Sequence, residues 1–206
     1  LEMLCHHLRD SIIYSLRKGE RNKPEDFSYI QRPSIENHEQ NRDYTIDCLL
    51  ITALRDVAEG ICRSNPLDIQ RVIKIIESYE WNVFKRIGLH LLRVIENTPL
   101  DMIKERLLDK ELFYCSGTHH EYYHLLKKYF HSLINKEQDT ILSWIDTADK
   151  WREDVEKSDT ESPPDQKEKR IRWWQYHRLI PIQENLTDGW KQRFIDLKEE
   201  LRDPEI

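Results

Sequence analysis

Glycine supplies only 5 of the 206 residues, and no alternating apolar/polar pattern bounded by Asn-Gly or Asp-Gly turns runs through the chain. Sandwiches, barrels and glycine-loop nucleotide folds are thereby disfavoured. A G-x-x-x-x-G-K-[ST] phosphate loop, a G-x-G-x-x-G turn and a G-x-S-x-G nucleophile elbow are all missing, so the segment carries no recognisable nucleotide or serine-hydrolase site. Long apolar runs are missing as well. The longest charge-free apolar stretch, Cys48 to Leu54, is seven residues, against the ~18 that would suggest a membrane span. Cysteine is sparse: Cys5, Cys48, Cys62 and Cys115 form no C-x-x-C pair and read as small core residues of a reducing cytoplasm. Positive charge is not in excess, since 32 Lys and Arg stand against 38 Asp and Glu for a formal charge of −6. That balance argues against non-specific nucleic-acid binding by overall charge.

What is present is helical periodicity. Leu1, Leu4, Cys5, Leu8, Ile12, Ile13 and Leu16 predict an opening helix stopping near Lys18 and Gly19. Residues 20–41 are polar, carry Pro24 and Pro33, and have only Phe27, Tyr29, Ile30 and Ile35 as bulky anchors, which predicts a long surface loop. A helix over Tyr44 to Arg63 follows, with Ile46, Leu49, Leu50, Ala53, Leu54, Val57 and Ile61 as its stripe. Asn65-Pro66-Leu67-Asp68 combines a capping side chain, proline at the first helical position and a carboxylate at the positive end of the helix. Thr98-Pro99-Leu100-Asp101 repeats that chemistry 33 residues later, a spacing typical of helical repeat arrays. Between the two, Trp81, Phe84, Ile87, Gly88, Leu91, Leu92 and Ile95 mark a very apolar helix, with Gly88 expected to admit a neighbouring backbone.

Thr118-His119-His120-Glu121 reads as a capping box opening a helix with Tyr122, Leu126, Tyr129 and Leu133 on one face. Asn135 with Gln138 starts the next, which buries Ile141, Trp144 and Ile145 and could run on through Trp151 to Val155. Residues 158–166, with Pro163 and Pro164 adjacent, predict a mobile loop and the boundary within the chain. A last helix, capped by Thr187, should bury Trp190, Phe194, Leu197 and Leu201. The expected architecture is therefore all-α. Antiparallel helix pairs stack as a HEAT-like α-solenoid over residues 1–157, and residues 167–206 pack on that array. The start at Leu1 without an initiator Met, and the tail ending soon after a helix, suggest a fragment of a longer chain.

Two stretches invite a chemical reading. His120-Glu121-Tyr122-Tyr123-His124 matches H-E-x-x-H, in which two histidines one turn apart hold zinc and the glutamate activates water. The extended form of that motif would need glycine and histidine where Lys127 and Phe130 stand. His131 shares the histidine face but lies ~16 Å along the axis from His120, too far to close on the same ion. The competing explanation is a capped helix with a polar histidine face, Glu121 serving as the capping partner. The second stretch is residues 167–178, net +4, where Lys169, Arg170 and Arg172 interleave with Trp173 and Trp174. Cations alternating with stacking rings can hold single-stranded nucleic acid or another polyanion. The alternative is a helix burying its rings and presenting its charges to water.

Four segments carry a resemblance to a family. They are Tyr79-Glu80-Trp81-Asn82-Val83-Phe84-Lys85-Arg86-Ile87-Gly88-Leu89-His90-Leu91-Leu92, His120 to Leu126, Ile141-Leu142-Ser143-Trp144-Ile145, and Trp174 to Leu197 with its Arg178-Leu179-Ile180 and Leu186-Thr187-Asp188-Gly189-Trp190 turns. Together they resemble the helical-repeat region C-terminal to the ATPase core of large bacterial NACHT/STAND-type signal-transducing NTPases, some of which act in antiphage defence. The resemblance implies a phosphate loop upstream and a repeat array that senses a ligand or restrains the NTPase. It implies no catalytic residue and no cofactor in this chain. The expected function is thus a non-enzymatic recognition or scaffold module of the cytoplasm. Its partner would be another protein or the chain's own NTPase domain, with no membrane contact.

Overall fold

A computed structural model describes residues 1–17, 26, 28–41 and 45–201 of the chain. Gly19, Phe27, Tyr44 and the tail beyond Leu201 lie outside them, as does the side chain of Leu16. Every regular element among the described residues is helical, with no strand. Two compact units are distinguished, residues 1–125 and 126–206. The division falls after Leu125, inside a helix, and the expected boundary at residues 158–166 lies within the second unit.

The first unit contains α1 (Glu2–Arg17), a one-turn α2 (Ser28–Gln31), α3 (Ile46–Ser64), α4 (Ile69–Ile76), α5 (Asn82–Val94), α6 (Leu100–Leu107), α7 (Lys110–Tyr114) and the start of α8 (His119–Tyr129). α5 is its centre: α2, α3, α4, α6 and the 3-10 turn Ser116–Thr118 all pack against it. Val83, Phe84, Ile87, Leu89, Leu91 and Leu92 are buried on every side of this helix, each contributing about 1.5–3 kcal/mol of transfer free energy. A helix enclosed all round must also enclose its polar residues, here Arg86 and His90. Its N-terminus is capped from a distance, the Val83 N–H donating to Asp26 Oδ2 at 2.6 Å. Gly88 does admit a close neighbour, but that neighbour is the Glu77 carboxylate and not a backbone. Glu77 is in turn held by Arg106 Nη2 at 2.5 Å.

α3 forms where its periodicity placed it, started by Thr45 Oγ1 accepting from the Cys48 N–H. Its buried arc is rotated from the expected stripe, of which Leu54 is buried and Leu50, Ala53 and Ile61 are half-buried. Cys48, Ile51, Leu54, Arg55, Ala58 and Cys62 face the interior, while Ile46 is 71% and Leu49 56% exposed and Val57 is also exposed. α1, α2, α4 and α5 all pack against this helix. The two proline-led starts also part ways. The Asn65 side chain accepts from the Leu67 N–H, but Thr98 Oγ1 turns back to donate to the Ile95 carbonyl, leaving α6 without a side-chain cap.

The second unit holds the end of α8, α9 (Asn135–Thr147), α10 (Asp149–Ser158), α11 (Pro164–Leu179) and α12 (Asp188–Glu200). α9 starts with Glu137 accepting from the Ile134 N–H at 3.0 Å, while Gln138 donates to the Phe130 and Leu133 carbonyls. α9 and α10 are not continuous, because Ala148 takes a left-handed conformation at φ 47°. α11 packs against α9, α10 and α12, and Trp174 stacks on Trp151 at 6.0 Å. Pro164 is the first residue of α11, so the predicted loop shortens to residues 159–163. Asp159 turns it by accepting from the Ser162 N–H. Along α12 only Leu197 is fully buried, Trp190, Phe194 and Leu201 being half-buried. Thr187 precedes that helix without a side-chain capping bond.

Candidate functional site

The chemistry of the first unit gathers where α5, the start of α8 and residues 28–41 meet. Arg86 and Glu121 form a bidentate pair, Nε to Oε2 at 2.8 Å and Nη2 to Oε1 at 3.1 Å. Arg86 is 0% and Glu121 3% exposed. Arg86 also donates to the carbonyls of Arg32 (2.7 Å) and Pro33 (3.0 Å) and to Ser28 Oγ (3.2 Å). Glu121 Oε1 accepts the Ile35 N–H at 2.9 Å. Arg32 and Arg55 converge on the Ile35 carbonyl at 2.9 and 2.8 Å. Arg32 reaches Thr52 Oγ1 as well. Residues 28–41 are therefore not a plain surface loop: Arg32, Ser34 and Ile35 are buried, and three guanidiniums staple the backbone of the segment.

Glu121 makes no capping bond among the described residues. Thr118 Oγ1 donates to the carbonyls of Leu112 and Cys115, and both Glu121 oxygens are taken by Arg86 and Ile35. His120 and His124 do come together, ring centroids 4.6 Å apart and half-buried. His131 falls in the 3-10 turn Phe130–Ser132, after α8 has ended. Among the described residues no group of three His, Cys, Asp or Glu is placed to hold a metal ion. Burial pushes both imidazoles below the ordinary value of 6.5, Arg86, His38 and Arg93 adding to the effect on His120, and His120 and Arg93 to that on His124. Tyr122, between them, is buried and donates to the Leu107 carbonyl at 2.6 Å.

A third histidine escaped sequence reasoning. His90, on α5, is buried, its Nε2 2.7 Å from Glu59 Oε1 and its Nδ1 without a partner among the described residues. Burial lowers its pKa, partly opposed by Glu59. Nearby, Arg93 Nη2 lies 2.6 Å from Glu36 Oε1. Burial alone would raise the Glu36 carboxyl, but the Arg93 bond and charge outweigh it and hold it below the usual range. The readable signal was slight: a His flanked by Leu89, Leu91 and Leu92.

In the second unit the five residues of the basic-aromatic stretch are separated by the fold. Arg170 Nη1 pairs with Asp159 Oδ2 at 2.6 Å, and Arg172 pairs with Glu200 and lies 3.7 Å from Glu168. Trp174 is buried between Trp151 and the Arg178 guanidinium, the latter 5.1 Å from its ring. Lys169 and Trp173 remain at the surface, Trp173 50% exposed with its ring 4.0 Å from His177. No helix among the described residues is long and apolar enough to cross a membrane. All four cysteines are free thiols, three of them buried. Compared with known protein families, curated proteins and solved structures, the chain shows no match.

Proposed function

We propose that the chain is a non-catalytic recognition module, built as stacked antiparallel helix pairs of the HEAT/ARM type, that serves as the sensor or regulatory arm of a larger bacterial NACHT/STAND-type NTPase. A cytoplasmic setting, with antiphage defence as one role, belongs to the same reading. The observation that carries it is the outward arc of α3. Ile46, Leu49 and Val57 are exposed along one helix, and Gly60 one turn further on has open space above it. An apolar stripe of that length is the kind of surface a protein partner covers. Local packing supports the helix-pair reading, since α3 packs on α4, α4 on α5 and α5 on α6. The interior charges support a non-enzymatic role: Arg86 and Glu121 engage each other, and Arg32, Arg55 and Arg86 hold backbone carbonyls.

The test begins with the complete reading frame, where a phosphate loop is expected upstream. The separately produced NTPase region should bind this chain in calorimetry, and Leu49→Asp should weaken that binding at least about tenfold. A reading frame without a phosphate loop would contradict the regulatory-arm reading. Stoichiometric zinc with chelator-sensitive peptidase activity would instead favour the H-E-x-x-H reading. Salt-dependent single-strand binding lost in Lys169→Ala and Trp173→Ala would favour the polyanion one.

A further inference from the structure

A cleft of about 420 Å³ opens within the second unit along α10, α11 and α12. Its walls carry three guanidiniums, Arg152, Arg172 and Arg193, and three carboxylates, Glu168, Asp196 and Glu200. The two sets balance, so neither a polyanion nor a polycation gains from the local field. The internal pairing is uneven. Arg152 takes Glu168 with both terminal nitrogens, at 2.7 and 3.2 Å. Arg172 directs Nη1 to Glu200 and Nε towards Glu168, leaving Nη2 without an acceptor among the described residues. Arg193 uses only Nη2, on Asp146 at 3.2 Å.

On the acceptor side, Asp196 receives only the Gln192 Nε2 at 2.8 Å and meets no cation among the described residues. Gln175, 2% exposed, donates Nε2 to the carbonyls of Ile145 and Asp146 at 3.0 and 2.8 Å, and its carbonyl oxygen receives no donor among the described residues. An amide oxygen open to the cleft and an unpaired carboxylate can each take a donor, while spare guanidinium N–H groups can take an oxyanion. Surplus of both kinds lines one small cleft.

We propose that this cleft binds a small zwitterion, its carboxylate on Arg172 and Arg193 and its ammonium on Asp196 and the Gln175 carbonyl. Site and ligand class go beyond the recognition reading and do not depend on it. The probe is a short aminoalkanoate series, glycine, β-alanine and 4-aminobutyrate, which steps the separation between the two charges. Acetate, ethylammonium and inorganic phosphate serve as single-charge controls. Amide chemical shifts of Gln175, Gly189 and Asp196 should move saturably with at least one member of the series, in the range of about 1 mM. Asp196→Asn should weaken that binding about tenfold. Gly189→Phe, whose Cβ meets nothing within 4 Å in the fold, should block the cleft while the thermal midpoint stays within a degree or so of the parent. Saturation by none of the series, equal binding to both variants, or tighter binding of phosphate than of any zwitterion would overturn the proposal.

Discussion

Charge is handled in opposite ways by the two units. In residues 1–125 it is taken inside: Arg86 and Glu121 are out of water, and three guanidiniums hold the carbonyls of one short segment. In residues 126–206 the ion pairs stay near the surface, Arg152 and Glu168 being 38% and 37% exposed, while the buried Arg178 guanidinium lies against the Trp174 ring, itself stacked on Trp151. A buried pair gains little over an apolar isostere, yet costs a great deal when one partner is removed. A solvated pair is screened in either state. Similar residue types therefore specify the fold in one unit and decorate it in the other.

The sharpest way to break that contrast is to neutralise one carboxylate in each unit. Glu121→Gln should lower unfolding stability by about 3–5 kcal/mol, because Arg86 is left charged and dry. Glu168→Gln should change it by about 1 kcal/mol or less. Urea titration of both variants reads the difference, and comparable losses would dissolve the contrast.

Acid should separate the units next. Burial holds His90, His120 and His124 below 6.5 in the first unit and His177 in the second. Each is neutral in the folded chain over a range where the unfolded chain is already protonated. The unfolded state then binds more protons, and stability falls as the pH drops through about 6.5. Hydrogen exchange between about pH 7.5 and 5.5 should show protection falling further in α5 than in α9. An equal or larger fall in α9 would reverse the comparison.

The smallest expected effect concerns the backbone of the second unit. Ala148→Gly removes the Cβ from a left-handed residue and should raise the thermal midpoint, worth about 1 kcal/mol. Glycine pays more entropy on folding, so an unchanged or lower midpoint would mean that the strain at Ala148 is negligible.

Helices were legible in the sequence because apolar spacing reports period directly, and α3, α4 and α5 stand close to where it put them. Which side of α3 is buried was only partly legible, since Ile46 and Leu49 are as apolar as Ile51, and the packing neighbours α1, α2, α4 and α5 choose between them. Capping strings were read too locally. Thr98 and Thr118 have the right chemistry, but each hydroxyl donates backwards to a carbonyl. The site was hidden for a related reason. Glu121 looked like a cap or a general base, and its actual partners, Arg86 and Ile35, are 35 and 86 residues away in the chain. Lys169 to Trp174 was read as a basic-aromatic stretch, while Asp159 and Glu200, which pair with Arg170 and Arg172, lie on other segments.

A double-mutant cycle at Arg86 and Glu121 reaches most directly the claim that the H-E-x-x-H glutamate is part of the fold's internal wiring. Arg86→Met and Glu121→Leu should each be strongly destabilising, and the chain carrying both should be more stable than either alone, because no lone charge remains buried. Strictly additive losses would contradict it, showing that the two side chains act independently.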